Sequence, residues 1–345
     1  MTPPPGQIDS VLSSTRADFR LQAKASGESV DHADTRWVDV HRHGKMRSGR
    51  TISQQINEHS TIKFTLDLGD GHQSESVILP MTGRTGRQRL TLCLSSQVGC
   101  ALGCGFCETA AMGFIRNLTV AEVLDQWHVA KFRFDSPISN IVFMGMGEPM
   151  ENLDTVLQAI RILTDRSGPA IAPSRVAVST VGRVAGIDRY RDFMTHEDFR
   201  RVRLAVSVNA PNAEIRRELM PITRSDSMPE LHQAMSDWIA SGGKPILIEY
   251  VLIPGVNDAV DHPAQLARWL EGIDCRINVI PYNPRRNSPW PAPTESSVDV
   301  FIDALRSEGC RVHRRKTLGR SVMAACGQLG NEHVRRKVPL RVPRA

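Results

Sequence analysis

Aromatic side chains are scarce in this chain of 345 residues: Phe, Trp and Tyr together make up 5%. Rows of side chains stacked on bases, a common grip on single-stranded nucleic acid, are therefore not expected. Long apolar runs are missing as well. A membrane helix needs about 20 consecutive apolar residues, no stretch approaches that, and no membrane partner is expected. The opening Met1-Thr2-Pro3-Pro4-Pro5 has neither the charged nor the apolar region of a secretory signal. A cytoplasmic location is the expectation. In that reducing compartment clustered cysteines bind metal or do chemistry more often than they form structural disulfides.

What the chain does have is positive charge, unevenly placed. The formal net charge is +6. Between Arg311 and Ala345 there are ten Lys and Arg against one acidic residue, Glu332, so this segment alone carries +9. Such a tail can follow a phosphate backbone, or it can simply be solvated. Hydrophobic residues make up 41% of the chain, enough for a substantial core. The length suits one large α/β domain with a smaller appendage.

Residues 1–55 are polar with no sustained period and read as a loosely ordered extension, with weak helical potential over 11–24. Alternation over 61–68, a Gly69-Asp70-Gly71-His72 turn and an extended stretch over 75–80 predict a β-hairpin within 56–89, followed by a Gly/Arg-rich linker. From residue 90 to 330, candidate strands (90–95, 138–144, 176–181, 203–208, 246–253, 277–280 and 312–315) alternate with candidate helices (120–134, 152–164, 213–220, 228–241, 263–272 and 297–308). That alternation predicts parallel βαβ units, a partial or full (β/α) barrel or an open doubly wound sheet. Ligands then sit at the carboxyl ends of the strands. Residues 331–345 are the end of the basic tail.

Seven cysteines are present. Cys100, Cys104 and Cys107 form a C-x3-C-x2-C run directly after the first barrel strand. Three thiolates on one Gly-containing loop can hold a [4Fe–4S] cube and leave one iron open. A zinc site is the alternative, but it needs a fourth ligand, and His128 lies far along a predicted helix. Gly145-Met146-Gly147-Glu148-Pro149 follows the second strand. Its glycines allow close backbone approach, and its carboxylate suits an ammonium group. Ser179, Ser207 and Asn283 end later strands. Taken alone they are ordinary turn residues. Cys275 and Cys310 read as small buried apolar side chains.

The C-x3-C-x2-C run resembles the radical S-adenosylmethionine (SAM) superfamily. Four further stretches occur in order: Ser95-Ser96-Gln97-Val98-Gly99-Cys100, Arg116-Asn117-Leu118-Thr119, the Gly145–Pro149 motif, and Ala324-Ala325-Cys326-Gly327-Gln328-Leu329. Together they resemble the adenosine-C2 methyltransferases of 23S rRNA and tRNA, with the related C8 enzymes. The resemblance implies a partial (β/α) barrel and a [4Fe–4S] cluster on Cys100, Cys104 and Cys107. It implies SAM held by Gly147, Glu148, Ser179, Ser207, Val208, Asn209 and Asn283, with two SAM consumed per turnover. It implies an RNA substrate (rRNA, possibly also tRNA), an electron donor such as a flavodoxin-type reductant, and a monomeric enzyme.

It further implies the roles of three residues. Cys326 is S-methylated by one SAM, and loses a hydrogen to the radical made from a second. The resulting methylene radical adds to an adenine carbon, which ordinary polar methylation cannot reach. The adduct then loses an electron, and Glu75 removes the ring proton. Cys93 then attacks the Cys326 sulfur, frees the product and leaves a Cys93–Cys326 disulfide. Three departures from the family are visible. Val208-Asn209 stands where Leu-His is usual, Ser321-Val322-Met323 where acidic residues are usual, and residues 1–55 where a compact helical domain is usual. C8 methylation, a radical enzyme with a non-RNA substrate, and a non-catalytic metal-bearing RNA-binding module are the competing readings.

Overall fold

The parallel strands expected from residue 90 onward form one open sheet, and its carboxyl ends gather the candidate site. The computed structural model describes residues 7–46, 49–82, 86, 88–319 and 322–331. Three helices come first: α1 (Gln7–Ser13), α2 (Arg16–Ala25) and α3 (Val30–His41). Four strands follow, β1 (Ile52–Glu58), β2 (Thr61–Asp67), β3 (Gln73–Thr82) and β4 (Gln88–Cys93). A small ribbon, β5 (Gln97–Gly99) and β6 (Phe114–Asn117), brackets the short helix α4 (Glu108–Met112). Then come α5 (Val120–Phe132), β7 (Ile138–Phe143), α6 (Leu153–Thr164), β8 (Val176–Thr180), α7 (Val184–Thr195), β9 (Arg203–Ser207), α8 (Ala213–Leu219) and α9 (Met228–Ala240). The chain closes with β10 (Ile246–Leu252), α10 (His262–Trp269), β11 (Cys275–Pro281), α11 (Glu295–Ser307) and β12 (Val312–Arg314).

The main sheet runs β1-β2-β3-β4-β7-β8-β9-β10-β11-β12. Strands β1 to β4 pair antiparallel, and every pairing from β4 to β12 is parallel. This is a partial (β/α) barrel, as the strand–helix alternation predicts. Its parallel strands are nearly continuous apolar runs because helices cover them; β8 is buried along its whole length. The hairpin is no separate module. Strands β2 and β3 extend the barrel sheet through β4, so its residues face the barrel mouth.

The first 55 residues depart from expectation. Residues 7–46 are not loosely ordered: Val11, Leu12, Ala33, Trp37 and Val40 are fully buried. Each helix spans only two or three turns and contributes only a few apolar residues, too few to sustain a period across an 11-residue window. The start signals are nevertheless present. Thr15 accepts from the Asp18 N–H and Ser29 from the His32 N–H, as N-caps do. Helix α1 packs on α5, α3 reaches α5 through Val40 and His128, and α2 packs on α3. Helix α5 is buried along ten consecutive positions from Ala121 to Ala130 and is therefore sandwiched rather than surface-lying. Helix α7 was not anticipated. Its polar sequence, VAGIDRYRDFMT, buries only one stripe through Ile187, Tyr190 and Met194.

One further expectation needs correction. Cys275 and Cys310 are half-buried rather than buried. They line a cavity of about 510 Å³ at the end of the sheet opposite the mouth. The basic tail beyond Asn331, and Ser321 with it, lie outside the described residues.

Candidate active site

The cysteine loop is built between β5 and α4. Gly99 takes a positive φ of 72°, and a Cβ there would meet the Gly113 carbonyl at 1.8 Å, so only glycine permits the Cys100 N–H to reach the Gly113 carbonyl (2.9 Å). The Cys107 N–H returns to the Cys104 carbonyl (3.2 Å), and Cys107 starts α4. Cys100 and Cys104 are buried, and Cys107 is half-buried. Burial raises all three thiol pKa values, Cys100 to about 12, and the charge of Cys100 and of Cys107 acts on Cys104. Among the described residues no three His, Cys, Asp or Glu close on a single ion. A cube does not ask for that, since each thiolate binds a different corner. Three thiols on one Gly-containing loop fit three corners of a cube.

Gly147 and Glu148 follow β7. Gly147 has φ 96°, and a Cβ would lie 2.5 Å from the Gln97 side chain, whose Oε1 accepts the Glu148 N–H (2.9 Å). Glu148 is 2% exposed. Its carboxylate accepts the N–H groups of Met150 (3.1 Å) and Val181 (3.0 Å), and no cation among the described residues pairs with it. Burial pushes its pKa up to about 7. A buried carboxylate without a cation suits an incoming ammonium group, which would restore its charge.

Ser179 lies buried on β8, and Ser207 ends β9 half-buried. Asn283, past β11, is 2% exposed, and its Oδ1 has no partner among the described residues. An orphaned buried amide oxygen at a strand's carboxyl end is what a polar ligand would satisfy. Val208 is fully buried. Asn209 differs from its neighbours. Its Oδ1 accepts the Val251 N–H (2.9 Å) and its carbonyl accepts Asn257 Nδ2 (2.8 Å), so its side chain braces β10.

The loop that carries Cys326 is fastened over the mouth from three sides. On the α4 side, the Glu108 N–H donates to the Gly327 carbonyl (2.7 Å) and Thr109 Oγ1 to the Leu329 carbonyl (2.6 Å). From the β11 side, Gln328 Nε2 donates to the Pro284 carbonyl (3.0 Å). On the hairpin side, Lys63 Nζ donates to the Met323 carbonyl (3.1 Å), and the Gly330 N–H donates to Glu75 Oε2 (2.9 Å). Glu75 is thus at the mouth, ion-paired with Lys63 at 2.9 Å.

Cys326 is solvent-exposed and Cys93, the last residue of β4, is buried; both are free thiols. Desolvation pushes the Cys93 pKa up to about 12, and the nearby Cys326 charge adds to it. Although its surface is open, Cys326 lies deep among protein. Desolvation raises its pKa, opposed by Arg315, whose side chain hydrogen-bonds it. The Arg315 guanidinium also feels Cys93 and the buried Glu249 of β10, which accepts Asn278 Nδ2 (2.8 Å). Sequence reasoning missed Lys63, Glu249 and Arg315. A carboxylate inside the apolar run Ile246-Leu247-Ile248-Glu249-Tyr250-Val251-Leu252 was a signal for the second. Nothing local marked the other two.

A parallel β/α sheet with a three-cysteine loop at its carboxyl ends defines a radical SAM enzyme, and the family model of the Radical SAM superfamily matches residues 94–270. A crystal structure of a radical SAM methyltransferase from Sphaerobacter thermophilus superposes with a TM-score of 0.85 at 33% identity, covering 92% of this chain and 98% of that one. A probable dual-specificity RNA methyltransferase RlmN 1 of Protochlamydia amoebophila is 44% identical, over 85% of this chain and 79% of its own length. The dual-specificity RNA methyltransferase RlmN of Nitratidesulfovibrio vulgaris is 40% identical, over 81% and 76%. The chain belongs to the RlmN family of radical SAM RNA methyltransferases. The family implies a [4Fe–4S] cluster and SAM. No helix among the described residues is long and apolar enough to cross a membrane.

Proposed function

We propose that this enzyme methylates an adenine ring carbon, C2, in rRNA and tRNA, and that Cys326 carries the one-carbon unit. The observation that supports this most is the position of Cys326. An exposed thiol is held over the carboxyl ends of the strands, within electrostatic reach of the buried Cys93, by a loop tied to the cysteine-loop helix and to Glu75. "Dual-specificity" in the names of its relatives favours two RNA classes as substrates.

Cys100, Cys104 and Cys107 would hold the cluster, and Glu148, Ser179, Ser207 and Asn283 would hold SAM. When bound, these groups supply the carbon radical that starts the reaction. The chain's own residues do the rest. Cys326 takes a methyl group by displacement, consuming one SAM, and the second SAM accounts for the hydrogen removed from that methyl. Arg315 holds the thiol in place beforehand. Glu75, with Lys63 as its cation, accepts the proton lost from the ring. The adduct also gives up one electron, which the cluster, left oxidised by SAM cleavage, would accept. The Cys93 thiolate then attacks the Cys326 sulfur, the bond from that sulfur to the transferred carbon breaks, and the carbon takes a proton to become the product methyl. Cellular thiols reset the transient disulfide, and an electron donor such as a flavodoxin-type reductant would supply the cluster. A monomer suffices, because every group named comes from one chain. The basic segment after β12 supplies phosphate-seeking charge.

The test is anaerobic incubation of the reconstituted enzyme with reductant, methyl-labelled SAM and either rRNA fragments or tRNA. Label in 2-methyladenosine from both RNAs, with 5′-deoxyadenosine, is expected. Label at C8, or 5′-deoxyadenosine without labelled nucleoside from either RNA, would overturn the assignment.

A further inference from the structure

We propose that Arg216 is the buried counter-charge of the cluster, a guanidinium set against Cys104 to favour the reduced cube. The inference rests on the reading that Cys100, Cys104 and Cys107 carry that cube.

Arg216 lies on α8 and has no exposed surface. Its Nη1 donates to Thr223 Oγ1 (2.9 Å) and its Nη2 to the Val181 carbonyl, while its Nε has no partner among the described residues. No carboxylate among the described residues forms an ion pair with it. Asp226 is the acid whose charge reaches it, and Asp226 is already held by Arg183 Nη1 (2.5 Å) and the Val184 N–H (3.0 Å). A buried cation without an anion is costly, so its retention calls for one. A guanidinium keeps its charge at neutral pH even when buried.

Cys104 packs in one buried cluster with Leu219 and Met220 at the end of α8, and its thiol and the guanidinium act on each other electrostatically. The cysteine loop is fastened to α8, where the Gly105 N–H donates to the Leu219 carbonyl (2.9 Å). Val181 sits between the site's two buried charges. Its N–H donates to Glu148 and its carbonyl accepts from Arg216, so the carboxylate and guanidinium are held one residue apart instead of pairing. Glu148 remains for an ammonium group, and Arg216 for an anion.

A cube in its oxidised state carries two positive charges against three thiolates, leaving one negative; reduction adds a second. A fixed positive charge stabilises the more negative state more, and so raises the reduction potential. Arginine suits this place because it keeps its charge where a buried lysine would lose it.

The experiment uses the full-length enzyme, reconstituted anaerobically, as the parent and as Arg216→Gln and Arg216→Lys. Cluster reduction is followed by electron paramagnetic resonance against poised potentials without SAM, alongside iron content and thermal unfolding of the cluster-free proteins. Gln keeps hydrogen-bond donors but drops the charge. It is expected to lower the reduced-to-oxidised ratio at a fixed potential by roughly tenfold or more. Lys is expected to fall between Gln and the parent, and the cluster-free Gln variant to unfold no earlier than the parent. An unchanged potential in Arg216→Gln at full iron content overturns the proposal. With that unchanged potential, a tenfold weaker SAM affinity would show that the guanidinium serves the SAM carboxylate instead. Earlier unfolding of cluster-free Arg216→Gln with equal iron loss in both variants would make the role structural and also overturn it. A parent that takes up no iron overturns the cluster reading itself, a result distinct from any failure of Arg216.

Discussion

Lys63 and Glu75 meet at 2.9 Å across β2 and β3, and each also holds the loop of Cys326, Lys63 through the Met323 carbonyl and Glu75 through the Gly330 N–H. One ion pair thus couples the hairpin, the proposed proton acceptor and the proposed methyl carrier. Both side chains are at most 9% exposed, so removing one leaves the other buried and uncompensated. Lys63→Met is expected to destabilise the fold by roughly 3–5 kcal/mol. The Lys63→Met/Glu75→Gln double variant should recover most of that. Urea unfolding of the four proteins of this cycle measures it.

Glu75→Gln alone keeps a side chain of the same shape and loses the base. If Glu75 accepts the ring proton, the variant should still cleave SAM to 5′-deoxyadenosine while methylated RNA falls by at least about 100-fold. Equal loss of both products would place Glu75 in loop docking rather than proton transfer.

Gly147→Ala tests the SAM cradle. The residue has φ 96°, and the new Cβ would lie 2.5 Å from Gln97, the side chain that fixes the Glu148 N–H. Displacing Gln97 moves Glu148 from its place. SAM affinity of the reconstituted enzyme, read by calorimetry, is expected to fall by about tenfold or more, the loss of one charge-assisted contact.

Acid should loosen the seam between the N-terminal helices and the barrel. His41 and His128 are buried on α3 and α5, and desolvation lowers the pKa of each to about 4. The fold therefore holds both rings neutral, while the unfolded chain binds protons near the usual 6.5. Stability is full above that value and falls as pH drops toward about 4, by about 1 kcal/mol per ring at pH 5.5. His128→Phe should flatten the decline, which unfolding midpoints between pH 7.5 and 5 would show. Trp37 anchors the same seam: its ring stacks on His41 at 4.2 Å and its Nε1 donates to the Ser14 carbonyl (2.9 Å). Trp37→Ala is expected to cost about 3–5 kcal/mol.

The sequence disclosed the parallel strands well, because β8, β9 and β10 are apolar runs bounded by turns, and the cysteine loop, because its chemistry is local. It hid the N-terminal helices, whose buried residues are spread over three short segments, and the polar helix α7. Within the site, Glu148 and Asn283 were legible as strand-end polar residues, and the structure leaves one without a cation and the other with an orphaned oxygen. Asn209 looked equally suitable but spends its side chain on Val251. Lys63, Arg216 and Arg315 could not be read in advance, since their partners lie far away in sequence: Lys63 meets Met323, Arg216 meets Val181, and Arg315 meets Cys326.

The central claim is that Cys326 carries the one-carbon unit, and peptide mass spectrometry of the enzyme isolated from cells tests it most directly. The account predicts one added methyl on the Cys326 peptide, exchanged for labelled methyl during turnover, and none on the Cys93 peptide. A preparation that produces methylated RNA while its Cys326 is never methylated would contradict it.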